Sequence, residues 1–333
     1  MGDGYIFWSN IDTPLGFFAF FLSIMVVFIN GWTDAPNAIF SLVASKTARL
    51  WQGALISAVF NLLGVVVFSL LSARVTKSVF SLADFSNKAE GNAICISCFS
   101  AVVIFGLVAW LFGMPSSESH ALLSSLFGAS LVFGSLNFNF IIRILKIIAF
   151  MFFSCALSYI LSYFLAKLFR KRNLKFKNAL FFSCASLSFM HGGQDGQKFI
   201  AIMMFLLGIS NEESSKVPLT LILIVSLVMC LSTMLGGKKI INTLSKSVDN
   251  LDTPLAFFSD IGSFITLLIC SLIGMPISTG NVKALSIIGS GKAKGASVNK
   301  KMITEILITS VITFPLCFLL GFVICKALSI LFL

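Results

Sequence analysis

Phe28-Ile-Asn-Gly31-Trp-Thr-Asp34-Ala-Pro-Asn37 sets a carboxylate, a glycine and a proline inside an apolar run. The same frame returns as Phe189-Met-His-Gly192-Gly-Gln-Asp195-Gly-Gln-Lys198, with Phe, Gly and Asp each displaced by 161 positions. A second motif obeys the same displacement: Gly113-Met-Pro-Ser-Ser117-Glu-Ser-His120 returns as Gly274-Met-Pro-Ile-Ser278-Thr-Gly-Asn281. Two unrelated motifs sharing one offset of 161 make the chain a duplication, with halves at 1–168 and 169–333. A shorter echo, Asp12-Thr-Pro-Leu and Asp252-Thr-Pro-Leu, lies at a different offset and reads as coincidence.

The medium follows from composition. Of 333 residues 57% are hydrophobic and 11% charged, and the mean hydropathy is +0.99. A soluble domain carries about 25% charged residues, so the solvent here is lipid. Residues 54–71, 140–166, 219–235 and 303–331 approach the roughly 20 apolar residues that cross a bilayer. Met1–Asn10 holds Asp3 and neither Lys nor Arg, so the basic start of a cleavable signal is missing. The net charge of +11 reads as cytoplasmic Lys and Arg rather than as a nucleic-acid footprint. Cys95-Ile-Ser-Cys98 has no second half to complete a zinc site, and the other six cysteines stand singly in apolar runs.

Loop charge predicts the topology. Segments 17–48, 50–73 and 138–167 are taken as full crossings, and 93–136 as a re-entrant hairpin with Pro115 at its tip. Three crossings per half invert the second half. One face then receives fifteen basic residues, among them Lys46, Arg49, Arg170, Lys175, Lys239, Lys246 and Lys301; the other receives Arg74, Lys77, Lys88 and Lys216 with Asp3, Asp12, Asp84, Glu90, Glu212 and Glu213. That asymmetry puts the basic face in the cytoplasm and both termini outside. Five crossings per half give the same loop sides, so re-entrance rests on the polar Pro-Ser tips in mid-apolar sequence. The expected fold is an all-α polytopic membrane protein of two inverted-topology repeats, each with a broken transmembrane helix and a re-entrant helical hairpin.

The motifs carry the candidate site. An acidic residue at membrane depth is costly and marks function by default, and a pseudo-twofold axis brings Asp34 and Asp195 together at mid-membrane. Thr33, Asn37 and Gln194 add oxygen ligands beside them, a set suited to Na⁺ or another small hard cation; the two carboxylates equally suit a coupling proton. Pro36, Gly192, Gly193 and Gly196 are expected to unwind both segments. Ser116, Ser117 and Ser119 open one hairpin helix and Ser278 and Thr279 its counterpart. Helix starts with such caps bind oxyanions. Lys198 faces an anion or pairs with Asp195 on one helix face. His120, His191, Glu118 and Asn281 border the expected cavity, and Trp32 is a candidate lining residue, while Trp8, Trp51 and Trp110 read as interfacial anchors. Lys283 reads as solvated or paired.

With these residues in view, the chain resembles the inorganic phosphate transporter (PiT) family, which carries a Gly-x-Asn-Asp-x-x-Asn motif in each half and a Pro-x-Ser-Thr-Thr-His-like motif in each hairpin. Gly31-Trp-Thr-Asp34-Ala-Pro-Asn37 and His191-Gly-Gly-Gln194-Asp195-Gly-Gln-Lys198 resemble the first; Pro115-Ser-Ser-Glu-Ser-His120 and Pro276-Ile-Ser-Thr-Gly-Asn281 resemble the second. The resemblance implies symport of inorganic phosphate with a cation, Na⁺ or H⁺, between unwound helices and hairpin tips, and homo-oligomers. It implies no other cofactor. Thr33 and Gln194 stand where the family has Asn, and Gly280-Asn281 where it has Thr-His, which leaves sulfate open as the oxyanion and the coupling ion unassigned.

Other classes fit less well. An ATP-driven pump needs a phosphate-binding Gly-x-x-x-x-Gly-Lys-[Ser/Thr] loop, which the sequence lacks. An anion channel wants a continuous polar lining, whereas the polar groups cluster at the two motif pairs. An intramembrane enzyme built on Ser117 and His120 has no orienting third group. The reading is a non-enzymatic transporter; frequent Lys, Asn, Ile and Phe suggest an AT-rich bacterial genome, and the expected location is then a bacterial inner membrane.

Overall fold

The computed structural model describes residues 13–80, 82, 88–113, 117–134, 138–169, 176–209, 217–244, 252–296 and 300–332. The hairpin tip Pro115–Ser116, the loop residues Arg170–Lys175, Asp84, Glu212, Glu213, Lys216 and Lys246, and both chain ends with Asp3, Trp8 and Asp12 lie outside the described residues.

All regular structure among the described residues is helical. The first half contributes α1 (Pro14–Thr33), α2 (Pro36–Ala44), α3 (Leu50–Leu71), α4 (Arg74–Phe80), α5 (Lys88–Phe112), α6 (Glu118–Leu131) and α7 (Phe138–Leu168). The second contributes α8 (Phe176–Leu206), α9 (Leu219–Leu235), α10 (Lys238–Leu244), α11 (Thr253–Ile273), α12 (Thr279–Lys294) and α13 (Lys300–Phe332). The hairpins repeat in detail. Glu118 opens α6 and Thr279 opens α12, 161 positions apart. Ser117 Oγ caps the amide of His120 at 3.2 Å, and Ser278 Oγ caps that of Asn281 at 3.3 Å.

The halves interleave rather than sit side by side. α3 of the first half packs on α8 of the second, and α9 packs on α1; α12 packs on α7, and α13 on α6. One core cluster therefore draws Val26, Ile94 and Leu126 from the first half and Ile200, Ile222 and Cys317 from the second. Among the described residues, six stretches are long and apolar enough to cross a membrane: Pro14–Ala44, Leu50–Leu71, Ala89–Phe112, Ile141–Leu168, Thr253–Ile273 and Leu307–Leu331. Phe17, Phe152, Phe164, Leu227 and Val323 point outward, a surface only lipid satisfies.

The two motif-bearing crossings differ, and the difference corrects the expectation that both are broken. In the first, Asp34 and Ala35 both draw on the Asn30 carbonyl, at 2.8 and 3.3 Å, before Pro36 begins α2. Proline has no N–H to continue the ladder, so the helix is interrupted there. In the second, α8 runs unbroken from Phe176 to Leu206 through His191, Asp195 and Lys198. The glycines there serve contact instead of unwinding. A Cβ on Gly192 would lie 2.1 Å from the Asn61 carbonyl of α3, and one on its mirror Gly31 would lie 1.9 Å from Ser232 Oγ of α9. Small residues at helix crossings let backbones approach this closely in lipid.

Candidate functional site

Asp34 sits in the α1–α2 break and Asp195 on α8, both buried. Thr279, the first residue of α12, joins them: its Oγ1 lies 3.0 Å from Asp34 Oδ2 and 3.1 Å from Asp195 Oδ2. One hydroxyl proton thus serves either carboxylate. The sequence predicts that the two aspartates converge, and they do, at a hairpin start.

Each aspartate has its own escort. Asn37 Nδ2 donates to Asp34 Oδ1 at 2.5 Å. The close approach depends on Gly280, where a Cβ would lie 2.6 Å from Asp34 Oδ1 and 2.9 Å from Asn37 Nδ2. Asn30 Nδ2 reaches across to Asp195 Oδ2 at 3.1 Å. Lys198 Nζ, one helical turn beyond Asp195, donates to Asp195 Oδ1 at 2.5 Å, to Ser119 Oγ at 2.6 Å and to the Ile277 carbonyl at 2.5 Å. A single ammonium therefore ties α8 to both hairpins. His191 Nε2 lies 3.3 Å from Asp195 Oδ2, and its Nδ1 is 3.1 Å from Asn61 Oδ1. Asp34, His191 and Asp195 together can offer three ligand atoms within 4.8 Å of one another.

The remaining predicted residues spread around this centre. Thr33 Oγ1 lies 2.7 Å from Glu118 Oε1 and 2.8 Å from the Ile29 carbonyl. Gln194 turns toward the second hairpin, donating to Ser271 Oγ at 2.9 Å and to the Met275 carbonyl at 3.2 Å. Ser117 and Ser278 cap their own helices, so their hydroxyls also serve structure. Asn281 Oδ1 accepts from Ser310 Oγ of α13 at 3.0 Å, and the His120 ring stacks on Phe314 of the same helix at 4.6 Å; among the described residues neither is hydrogen-bonded to an aspartate. Trp32 packs against Trp110, 4.4 Å between ring centroids. Ser116 lies outside the described residues. Three acceptor oxygens near the centre, on Asn30, Asn37 and Gln194, are buried with no hydrogen-bond partner among the described residues. Buried acceptors left open in this way are what a bound cation would satisfy.

Sequence reading missed several polar residues. Asn30 lies one turn before Asp34, inside the quoted motif, and its i, i+4 spacing was the available signal. Asn61 was detectable only as a polar residue in an apolar run. A second buried cluster was read only at Lys283, expected to be solvated or paired: Lys283 of α12 pairs with Asp260 of α11 and donates to Ser41 Oγ and Ser259 Oγ, each at 2.7 Å. Ser41 of α2 donates to Asp260 Oδ1 at 2.6 Å, and Ser183 of α8 to Asp260 Oδ2 at 2.7 Å. Cys95 and Cys98 lie in the core of α5, the latter donating its thiol to the Leu122 carbonyl at 3.3 Å.

Two interleaved repeats that bring a break, a continuous helix and two hairpin starts to one buried, polar point define a multi-pass membrane transport protein. Comparison with known proteins names the group. The pattern of the "Phosphate transporter family" matches twice, over residues 30–181 and 168–321, once per half. A "Probable low-affinity inorganic phosphate transporter" of Bacillus subtilis is 28% identical over 319 residues, covering 92% of this chain and 94% of that one. A protein of the same description from Rhizobium meliloti is 28% identical, covering 86% and 89%. A solved structure described as "The sodium-dependent phosphate transporter" has the same fold, with TM-score 0.86, 19% identity, and coverage of 96% of this chain and 100% of that one. The chain belongs to the phosphate transporter family.

Proposed function

We propose that this protein is a secondary active symporter of inorganic phosphate, driven by a cation gradient, Na⁺ or H⁺, and working by alternating access. The observation that carries the reading is Thr279, whose hydroxyl sits between two buried aspartates contributed by opposite halves. A binding point shared by both halves is what alternating access around a fixed site needs. Asp34, Asn37 and Asp195, with Thr33 and Gln194 behind them, hold the coupling cation. Ser117, Ser119, Ser278 and Thr279, on the starts of α6 and α12, hold phosphate together with Lys198 and with Ser116, which precedes Ser117 in the sequence. Asp34 and Asp195 meet phosphate through the bound cation or through a proton on the phosphate itself. His120, His191, Glu118 and Asn281 shape the surroundings. The relatives described as phosphate transporters support the substrate, and the sodium dependence named for the structural neighbour makes sodium the first ion to test. In this reading the chain lies in the bacterial inner membrane with both termini outside.

Radiolabelled phosphate uptake into proteoliposomes, under separate sodium and proton gradients, tests the proposal. Gradient-dependent accumulation that arsenate suppresses is expected. Accumulation suppressed by sulfate instead would make the chain a carrier of that oxyanion, a reading favoured by Gly280-Asn281 in the second hairpin. Flux that equilibrates but never accumulates would make it an anion channel.

A further inference from the structure

The 161-residue repeat invites a comparison of the two aspartates position by position. Asp34 and Asp195 are equivalent; three residues on, Asn37 and Lys198 are equivalent; one position into each hairpin helix, Gly280 and Ser119 are equivalent. Around Asp34, the residue three on is a neutral amide that donates to Oδ1 at 2.5 Å and keeps its own oxygen without a partner among the described residues. Asn30 Oδ1 is buried and open in the same way. Around Asp195 the corresponding place holds an ammonium. Lys198 Nζ has an oxygen shell of the kind that binds a small hard cation: a carboxylate oxygen at 2.5 Å, a hydroxyl at 2.6 Å and a main-chain carbonyl at 2.5 Å, drawn from three separate segments. The lysine is among the largest fully buried side chains of the protein. An ammonium in such a place persists only if paired.

We infer that Lys198 is a built-in cation: its ammonium occupies the second of two pseudo-symmetric cation positions, so the transport cycle takes up a coupling cation only at the Asp34 side. The inference rests on the cation-coupled reading of this same site. It makes Lys198 a specificity-determining residue for stoichiometry. It also assigns the first position to the Asp34 carboxylate with the Asn30 and Asn37 oxygens, the acceptors that the protein itself leaves open.

The test counts ions rather than flux. Equilibrium binding of radiolabelled Na⁺ is measured on the purified full-length protein in detergent, with and without inorganic phosphate, for wild type, K198N and K198R. Wild type should bind no more than one Na⁺ per chain. K198N, which copies the residue of the other half, should bind one more than wild type, and K198R should leave the count unchanged. Wild type binding two ions overturns the inference whatever the variants do, and so does a K198N protein that elutes as a single species yet shows no gain. Should K198N fail to fold, K198Q asks the same question with a longer amide. Absence of phosphate binding in every protein would remove the substrate assignment, while the difference in ion count between wild type and K198N would still decide this point.

Discussion

Asp260 and Lys283 offer the sharpest energetic prediction, because the repeat supplies its own control. Lys283 Nζ is bound by the Asp260 carboxylate and by the hydroxyls of Ser41 and Ser259, with all four residues buried. At the positions equivalent to Asp260 and Lys283 in the first half, 161 residues earlier, stand Phe99 and Leu122, also buried. The same backbone arrangement thus holds an ion pair in one half and two hydrocarbons in the other. Replacing Lys283 by Met leaves the Asp260 carboxylate with the Ser41 and Ser183 hydroxyls, at 2.6 and 2.7 Å. Breaking a buried pair by removing one partner costs about 3–5 kcal/mol, and the two retained hydroxyl donors place K283M near the lower end, roughly 3 kcal/mol. The double variant D260L/K283M removes both charges and should recover most of that loss, since apolar replacement of a buried pair is often neutral. The assay is a thermal melt in detergent, followed by retention of the monodisperse peak, on wild type, both single variants and the double. A double variant no more stable than K283M would refute the reasoning, because the loss would then come from packing rather than from an uncompensated charge.

Three further outcomes follow from the centre of the site. T279V removes the hydroxyl that lies 3.0 and 3.1 Å from the two carboxylates; a hydrogen bond to a charged group is worth about 1.5–3 kcal/mol, so cation-dependent phosphate binding measured by calorimetry should weaken by roughly tenfold to a hundredfold. G280A would put a Cβ 2.6 Å from Asp34 Oδ1 and should displace that carboxylate, raising the cation concentration for half-maximal uptake while circular dichroism stays as in wild type; an unchanged cation dependence would show that Asp34 does not hold the ion. D34N should abolish cation coupling with the fold intact, and wild-type-like uptake by that variant would remove Asp34 from the mechanism.

The parts of the fold that repeat were legible, because duplication writes them twice. The offset of 161 placed the hairpin starts within Ser116–Ser119 and Ser278–Thr279, where the helices open at Glu118 and Thr279, and predicted that Asp34 and Asp195 meet. The same symmetry misled at α8. Sequence similarity between Gly31-x-x-Asp34 and Gly192-x-x-Asp195 suggested two breaks, but only the first motif contains a proline, and α8 stays continuous. Glycine is permissive of unwinding without causing it, and here its missing side chain serves a helix crossing. Polar residues outside the motifs were harder to read. Asn61 reaches His191 across 130 positions, and Ser41 reaches Asp260 across 219. Such contacts are set by packing between distant segments, and no local spacing encodes them. Asp260 could have been found: a carboxylate within the apolar segment Thr253–Ile273 satisfies the criterion that singled out Asp34. It was hidden by the absence of an acidic residue at its mirror position, Phe99.

If the protein works as the proposed symporter, the charge balance of the site gives the cation its part. Asp34, Asp195 and Glu118 are buried around one polar point, and the Lys198 ammonium pairs with Asp195. With these carboxylates ionised, phosphate brought to this place alone would meet more negative charge than positive, in surroundings where uncompensated charge is far more costly than in water. The helix starts of α6 and α12 cannot offset that by themselves, since each end carries roughly half an elementary charge. A cation at Asp34 would offset that excess: together with the Lys198 ammonium and the two helix starts it would balance the three carboxylates, satisfy the open oxygens of Asn30 and Asn37, and leave the serine-capped helix starts facing a site an oxyanion can enter. Under the proposed symport, coupling is then a consequence of electrostatics, because the binding of the first ion creates the condition for the second.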